Sequence, residues 1–247
     1  MKDLFSKNSE HYARFRPLYP NELFAYILSL VQNKNVAWDC ATGNGQFAAT
    51  LANHFKIVHA TDISENQIKN AVRKENIIYN IESAEHTSFP DRSFDLITVA
   101  QAIHWFNFDK FYTEVNRTLH PDGLLAITGY NIPHINASID TIIHQFESEF
   151  LGSYWDEETQ YVDDMYTTIP FPFNEINAPA FFSNHIWSIE QLLGFLNTWS
   201  GVRHYIEEHA INPVNIIEKE LRKHWQENET KKVTFPILLR IGTLHGN

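Results

Sequence analysis

The sequence predicts an α/β fold: a mostly parallel sheet with helices on both faces and a helical cap over one end. Three observations predict it. Strand-like and helical segments alternate between residues 20 and 130, the pattern of parallel strands joined by crossover helices. A glycine-bearing turn lies between the first strand and its helix, at 39–46. The 247 residues are 43% hydrophobic and 14% aromatic, enough for one sizeable core, so a single elaborated domain is expected.

Each element follows from local pattern. Pro20 opens a helix with Leu23, Phe24, Ile27, Leu28 and Val31 on one face. Residues 36–39 form a short apolar strand, followed by the glycine turn and a helix through Phe47, Ala48 and Leu51. Residues 57–61 are the second strand. Ser64-Glu65-Asn66-Gln67 then reads as a capping box, with the serine accepting from the Gln67 N–H and Gln67 reaching back. Strands at 77–81 and 94–100 precede a helix carrying Phe108, Phe111, Tyr112, Val115 and Leu119 at helical spacing. His120-Pro121-Asp122-Gly123 turns the chain into a fifth strand, 124–128. Beyond Tyr130 the alternation stops, and helices are expected over 139–151, 188–199 and 213–225. A sixth strand is expected at 180–187 and a closing strand at 232–241. The domain thus divides into an N-terminal lid and helix (1–35), a ligand-binding core (36–130), a helical cap (131–230) and a closing strand (231–247).

Composition narrows the function. Thirty acidic residues against nineteen basic ones give a formal charge of −11, which argues against a nucleic-acid partner. A single cysteine, Cys40, excludes a disulfide scaffold. Residues 1–8 contain no apolar signal-peptide region, and no apolar run approaches the roughly 20 residues of a membrane span. A cytoplasmic protein acting on a small molecule is the expectation, with its oligomeric state open.

Chemistry concentrates in Asp39-Cys40-Ala41-Thr42-Gly43-Asn44-Gly45-Gln46. Gly43 and Gly45 allow a sharp turn and close approach of a ligand to the main chain. Gly43-x-Gly45-x-x-Ala48 also satisfies the dinucleotide fingerprint, with Asp62 at the expected spacing. Asp39 weighs against a pyrophosphate, because like charges repel in a partly desolvated site. Asp39 suits an ammonium or sulfonium, Asp62 two ribose hydroxyls, and Glu85, after the third strand, an adenine amine. Three carboxylates at three successive strand ends favour a cationic nucleoside, S-adenosylmethionine. A nicotinamide-dependent oxidoreductase and a non-catalytic nucleoside-binding regulatory partner are the alternatives.

The sequence resembles the class I S-adenosylmethionine-dependent methyltransferases, and within them the trans-aconitate methyltransferase-like branch. Asp39-x-Ala41-x-Gly43-x-Gly45 is similar to their acidic-residue-and-glycine motif, Asp62 to their ribose-binding acid, and Phe94-Asp95-Leu96-Ile97 to their fourth-strand motif. The segments 12–20, 101–106 and Tyr154-Trp155 resemble the branch. The resemblance implies a seven-stranded, Rossmann-like sheet in an α/β/α sandwich, with S-adenosylmethionine as cofactor and S-adenosylhomocysteine as product. It implies cofactor contacts at Asp39, Ala41, Gly43, Gly45, Asp62, Ile63, Ala84, Glu85 and Gln101, and a carboxylic acid as acceptor. Ala41 stands where the family has its first glycine, and a negative φ is expected to accommodate its methyl.

Substrate contacts are expected from Tyr12, Arg16, Tyr19, His104, Trp105, Tyr154 and Trp155. His104 and Trp105 follow the fourth strand, where open sheets place ligands, and His104 is a candidate base or orienting donor. Arg14 and Arg16 suit carboxylates. Cys40 is a buried filler, since no adjacent base would lower its pKa. No metal spacing is present.

Overall fold

The computed structural model describes residues 15–226 and 228–244. Among these, one sheet holds β1 (Val36–Cys40), β2 (Ile57–Asp62), β3 (Ile77–Ile81), β4 (Phe94–Ala100), β5 (Leu119–Tyr130), β6 (Asn174–Glu175), β7 (Phe181–Trp187) and β8 (Lys231–Thr243). Spatially the order is β3-β2-β1-β4-β5-β8. The first five are mutually parallel, and β8 runs antiparallel to β5. On the far side of β8, β7 pairs with Lys231 to Ile237 and β6 with Gly242 and Thr243. These two strands occupy one lane, so eight strands build the seven expected lanes. The crossover between β1 and β4 is a topological switch point, which opens a crevice at the carboxyl ends of the strands.

Side-chain alternation divides the core into two layers. Ala37, Val58, Ala60, Leu96, Leu124 and Ala126 face one way and pack beneath α1 (Asn21–Leu30), α2 (Gln46–Leu51) and the cap. Trp38, Cys40, Ile97, Val99, Leu125 and Ile127 face the other way, against Phe111, Tyr112 and Val115 of α4 (Phe108–Thr118). The amphipathic stripe that predicted α4 is the face it buries. A short helix, α3 (Glu65–Lys69), follows β2, with the Ser64 side chain accepting from the Gln67 N–H. The Ser64 N–H donates to Asp62 Oδ1, so the acid occupies the position expected for the Gln67 side chain.

The chain at His120 to Gly123 does not separate α4 from β5. Phe94 pairs with Leu119 and Leu96 with Leu124, so these residues bulge out of a single long strand. The cap also has more pieces than expected. It contains α5 (Ala137–Gln145), a π-turn (Phe146–Phe150), α6 (Gln160–Asp163), α7 (Ile189–Leu196), α8 (Ser200–His209) and α9 (Val214–Lys223). Helix α8 gives a weak signal because its apolar stripe is a single turn, Val202, Tyr205 and Ile206, of which only Val202 is fully buried and Ile206 is exposed. Among the described residues no helix is long and apolar enough to cross a membrane.

Candidate active site

Between β1 and α2 the main chain turns through three left-handed residues, Ala41 (φ 53°), Gly43 (φ 55°) and Gly45 (φ 77°). The negative φ expected at Ala41 is therefore not found, and its methyl is carried in a conformation costing an L-residue about 1–2 kcal/mol. Neighbouring hydrogen bonds hold it there: the Thr42 N–H donates to the Thr61 carbonyl at 2.9 Å, and the Gly43 N–H to Asp62 Oδ2 at 2.9 Å. Gly45 is fixed by space as well, because a Cβ there would collide with the Tyr79 hydroxyl.

Asp39 lies beneath this turn. It is 1% exposed, and its carboxylate accepts from the Thr42 hydroxyl and, at 2.8 Å, from that of Thr98, its partner in the β1–β4 register. Burial pushes the Asp39 carboxyl up to about 6, against the hydrogen bonds from Thr42, Thr98 and the Ala48 main chain. It braces the loop from behind. Asp62 is placed differently: 9% exposed, it ties Gly43 to Ser64 and still lines the cavity in front. Cys40 is fully buried, and burial with the nearby acids raises its thiol well above the ordinary range, as befits a filler.

Two chambers meet above the strand ends. The larger, about 280 Å³, is lined by Ala41 to Asn44, Gln46, Asp62, Ser64, Gln67, Tyr19 and Ala100 to Ala102. The smaller, about 100 Å³, lies under the cap and is lined by His104, Asn131, Glu147, Trp155, Asp163, Phe195 and Trp199, among others. Arg16, Gln101, Trp105 and Tyr130 line both. Gln101 is itself left-handed (φ 55°), and its side chain clamps the β5 end, accepting from the Tyr130 N–H at 2.7 Å and donating to the Tyr130 carbonyl at 3.3 Å. Arg16 donates to Tyr130 Oη at 3.0 Å and to the Thr198 carbonyl at 3.2 Å, with the Phe195 ring 5.5 Å away. It thereby ties the N-terminal segment to sheet and cap together.

His104 is 5% exposed, and its Nδ1 lies 3.1 Å from the Tyr166 hydroxyl. Burial, with the Arg16 charge nearby, pushes its pKa down to about 3. The ring is neutral near pH 7 and a very weak base, which speaks against the candidate role of general base. At the mouth of the smaller chamber, Asp163 is open to solvent on one side. Burial on the other, with Glu147 and Asp164 nearby, lifts it to about 6. Burial also raises Glu147, against the opposing pull of His144.

Of the expected cofactor residues, Ala41, Gly43, Asp62 and Gln101 line the larger chamber, whereas Asp39, Gly45, Ile63, Ala84 and Glu85 are outside its lining. Glu85 Oε1 accepts from the Asn107 N–H at 3.2 Å, and its other oxygen from the Ser83 hydroxyl. Of the expected substrate residues, Arg16, Tyr19, His104, Trp105 and Trp155 line one chamber or both. Tyr154 turns away: its hydroxyl lies 2.6 Å from His209 Nε2, in neither lining. Tyr12 and Arg14 lie outside the described residues. Sequence reasoning missed Ser64, Tyr130, Glu147, Asp163, Phe195 and Trp199. Ser64 carries a capping signal and Trp199 ends the helix expected over 188–199, but neither signal points to a ligand.

Comparison with known proteins decides the family. The methyltransferase domain family matches residues 38–127. A protein of Dictyostelium discoideum assigned as a methyltransferase is 34% identical over 96% of this chain and 93% of its own. The chain belongs to the class I S-adenosylmethionine-dependent methyltransferases. A solved structure assigned to the type II methyltransferases, from Anaeromyxobacter dehalogenans, superposes on this methyltransferase with a TM-score of 0.86 at 34% identity. It covers 94% of this chain and 100% of that one. The YcgJ structure from Bacillus subtilis (18% identity, 92% and 99% covered, TM-score 0.53) shares the fold of the methyltransferase.

Proposed function

We propose that this methyltransferase binds S-adenosylmethionine in the larger chamber and transfers its methyl group to a small molecule held under the cap. The observation that carries the reading is the pair of chambers meeting at Gln101, Trp105, Tyr130 and Arg16. The residues fit the cofactor. The Asp62 carboxylate, held by the Gly43 and Ser64 N–H groups, lines the chamber at the end of β2 and is the acceptor chemistry that ribose hydroxyls need. A Cβ on Gly43 would meet nothing within 4 Å, so the main chain there faces open space. Arg16, present in both linings, suits the methionyl carboxylate.

The cofactor supplies an electrophilic methyl on a sulfonium. The protein's own contribution is alignment across the shared wall and exclusion of water by Trp105, Tyr130 and the cap. Thermal unfolding with added ligands tests the reading. S-adenosylmethionine and S-adenosylhomocysteine should each raise Tm, since each stabilises the folded state alone, and NADH should not. A shift with NADH only overturns it.

The trans-aconitate-like resemblance adds a carboxylic acid as acceptor. Arg16 supports that reading. The two carboxylates in the acceptor chamber oppose it.

A further inference from the structure

The acceptor chamber has a definite chemistry. Its walls are aromatic: Trp105, Trp155, Trp199, Phe195 and Tyr130. Two carboxyl groups stand among them, Glu147 from the π-turn and Asp163 from α6. The Glu147 backbone is fixed against this wall, its carbonyl accepting from Trp155 Nε1 at 2.9 Å. Aromatic faces and carboxylates attract the same partner, a cation with an apolar body. An anionic acceptor would stand beside two groups of its own sign.

The remaining charges around the chamber do not reverse this balance. Arg16 is engaged with Tyr130, the Thr198 carbonyl and two rings, and it also lines the cofactor chamber, where the methionyl carboxylate would share it. His104 is neutral near pH 7. His144 Nδ1 lies 3.6 Å from Glu147 Oε2, but His144 is exposed on the outer side of α5 and lies outside the lining. Asp164 adds a further negative charge beside Asp163, its Oδ1 accepting from the Gln160 side chain.

We propose that the acceptor is a primary or secondary amine, drawn in as its ammonium ion by Glu147 and Asp163, with Asp163 taking up the proton that must leave before the nitrogen can accept a methyl group. The proposal rests on the cofactor assignment made above. The step balances. The ammonium gives one proton to the Asp163 carboxylate, which passes it to solvent at the chamber mouth. The freed nitrogen lone pair forms the N–C bond as the S–C bond breaks. The S–C electron pair stays on sulfur, leaving S-adenosylhomocysteine and a protonated N-methyl product. Asp163 is the group suited to receive this proton, since a carboxyl lifted to about 6 is a stronger base than an ordinary one and solvent can relieve it.

A matched pair of probes tests the proposal. Benzylamine and benzoate have nearly the same shape and opposite charge at pH 7.5. Each is titrated by calorimetry and by quenching of tryptophan fluorescence, with and without saturating S-adenosylhomocysteine. Benzylammonium should bind at least tenfold more tightly than benzoate. In Glu147→Gln/Asp163→Asn that preference should disappear, while affinity for S-adenosylhomocysteine stays within twofold. Asp163→Asn alone, at the solvent-open mouth, is the control for folding and should lose part of the preference. Equal or tighter binding of benzoate, no binding of benzylammonium, or a preference unchanged in the double variant overturns the amine. Failure to bind S-adenosylhomocysteine overturns the cofactor assignment instead, and the titration without it still reads the chamber.

Discussion

The two chambers share a wall but are built from different parts of the chain. The larger is lined by the segment from Arg16 to Tyr19, the turn from Ala41 to Asn44, the end of β2 and the turn after β4, all within the first 130 residues. Side chains from the cap dominate the smaller one: Glu147, Trp155, Asp163, Phe195 and Trp199. A nucleoside common to many reactions can be held by strand ends and backbone, whose placement follows from the sheet. An acceptor particular to one reaction needs side chains on a segment free to vary without disturbing the sheet.

Damage to the cap should separate the two halves most strongly. Trp199 is 6% exposed and packs against Phe146, Trp155 and Phe195. Trp199→Ala should cost about 3–5 kcal/mol of stability. Hydrogen exchange should show the loss concentrated in α5, α7 and α8, with β1, β2 and β4 still protected. Uniform loss of protection would show that cap and sheet open as one unit.

Next comes the turn. Gly45→Val forces a branched residue into a left-handed conformation and against Tyr79, whose hydroxyl donates to the Val72 carbonyl. A loss of about 2–4 kcal/mol is expected in urea unfolding, from the left-handed penalty plus the displaced hydrogen bond. Binding of S-adenosylhomocysteine should weaken tenfold or more. Asp62→Ala should weaken that binding by about 1.5–3 kcal/mol, the usual loss for hydrogen bonds to a charged group. The benzylamine titration should be unchanged in this variant. A parallel loss there would mean that the shared wall couples the chambers more tightly than their construction suggests.

Smaller effects sharpen the picture. His104 has a folded pKa near 3, below the unfolded value of about 6.5. The unfolded chain therefore takes up this proton first. Stability from the neutral ring is complete above pH 6.5 and declines as pH falls toward 3. Between pH 6.5 and 5.5 the loss is about 1 kcal/mol. Asp39 works in the opposite sense, because its folded carboxyl is raised to about 6 and protonation from there down to the ordinary value near 3.8 favours the folded state. The difference in Tm against pH between the wild type and His104→Gln isolates the histidine; identical slopes would show that His104 does not carry this linkage. Smallest of all, Ala41→Gly should raise stability by about 0.5 kcal/mol, as relief of the left-handed methyl slightly outweighs the added freedom of the unfolded chain. A loss of stability would mean that the methyl makes contacts worth more than its strain.

The contrast between the halves also explains what the sequence disclosed. Residues 36–130 were legible because their signals are local: apolar runs for β1 and β4, glycines at the turn, an amphipathic stripe for α4. Asp62 was legible because its distance from the glycines along the chain reflects the length of one crossover. Asp39 was legible as important, but its direction was not. Its side chain falls on the same face of β1 as Ala37, under α2 and opposite Thr98, and only strand register reveals this. Tyr154 and Trp155 are adjacent in sequence yet diverge, one toward His209 and the other into the chamber. Nothing local marks Glu147 and Asp163, which meet through the packing of two separate turns.

Strand β8 runs beside β5, with Tyr130 opposite Ile237 and Leu124 opposite Thr243, although residues 131–230 intervene. Bringing these neighbours together closes a loop whose entropic cost is about 4 kcal/mol before any of its contacts repay it. Because β8 also carries both cap-side strands and supplies Phe235 to one core layer and Leu238 to the other, the barrier to folding should fall at its docking. β1 to β5 would assemble early around a nucleotide crevice still lacking its far wall, and the emerging chain would pass through a state that recognises the cofactor before it can accommodate an acceptor.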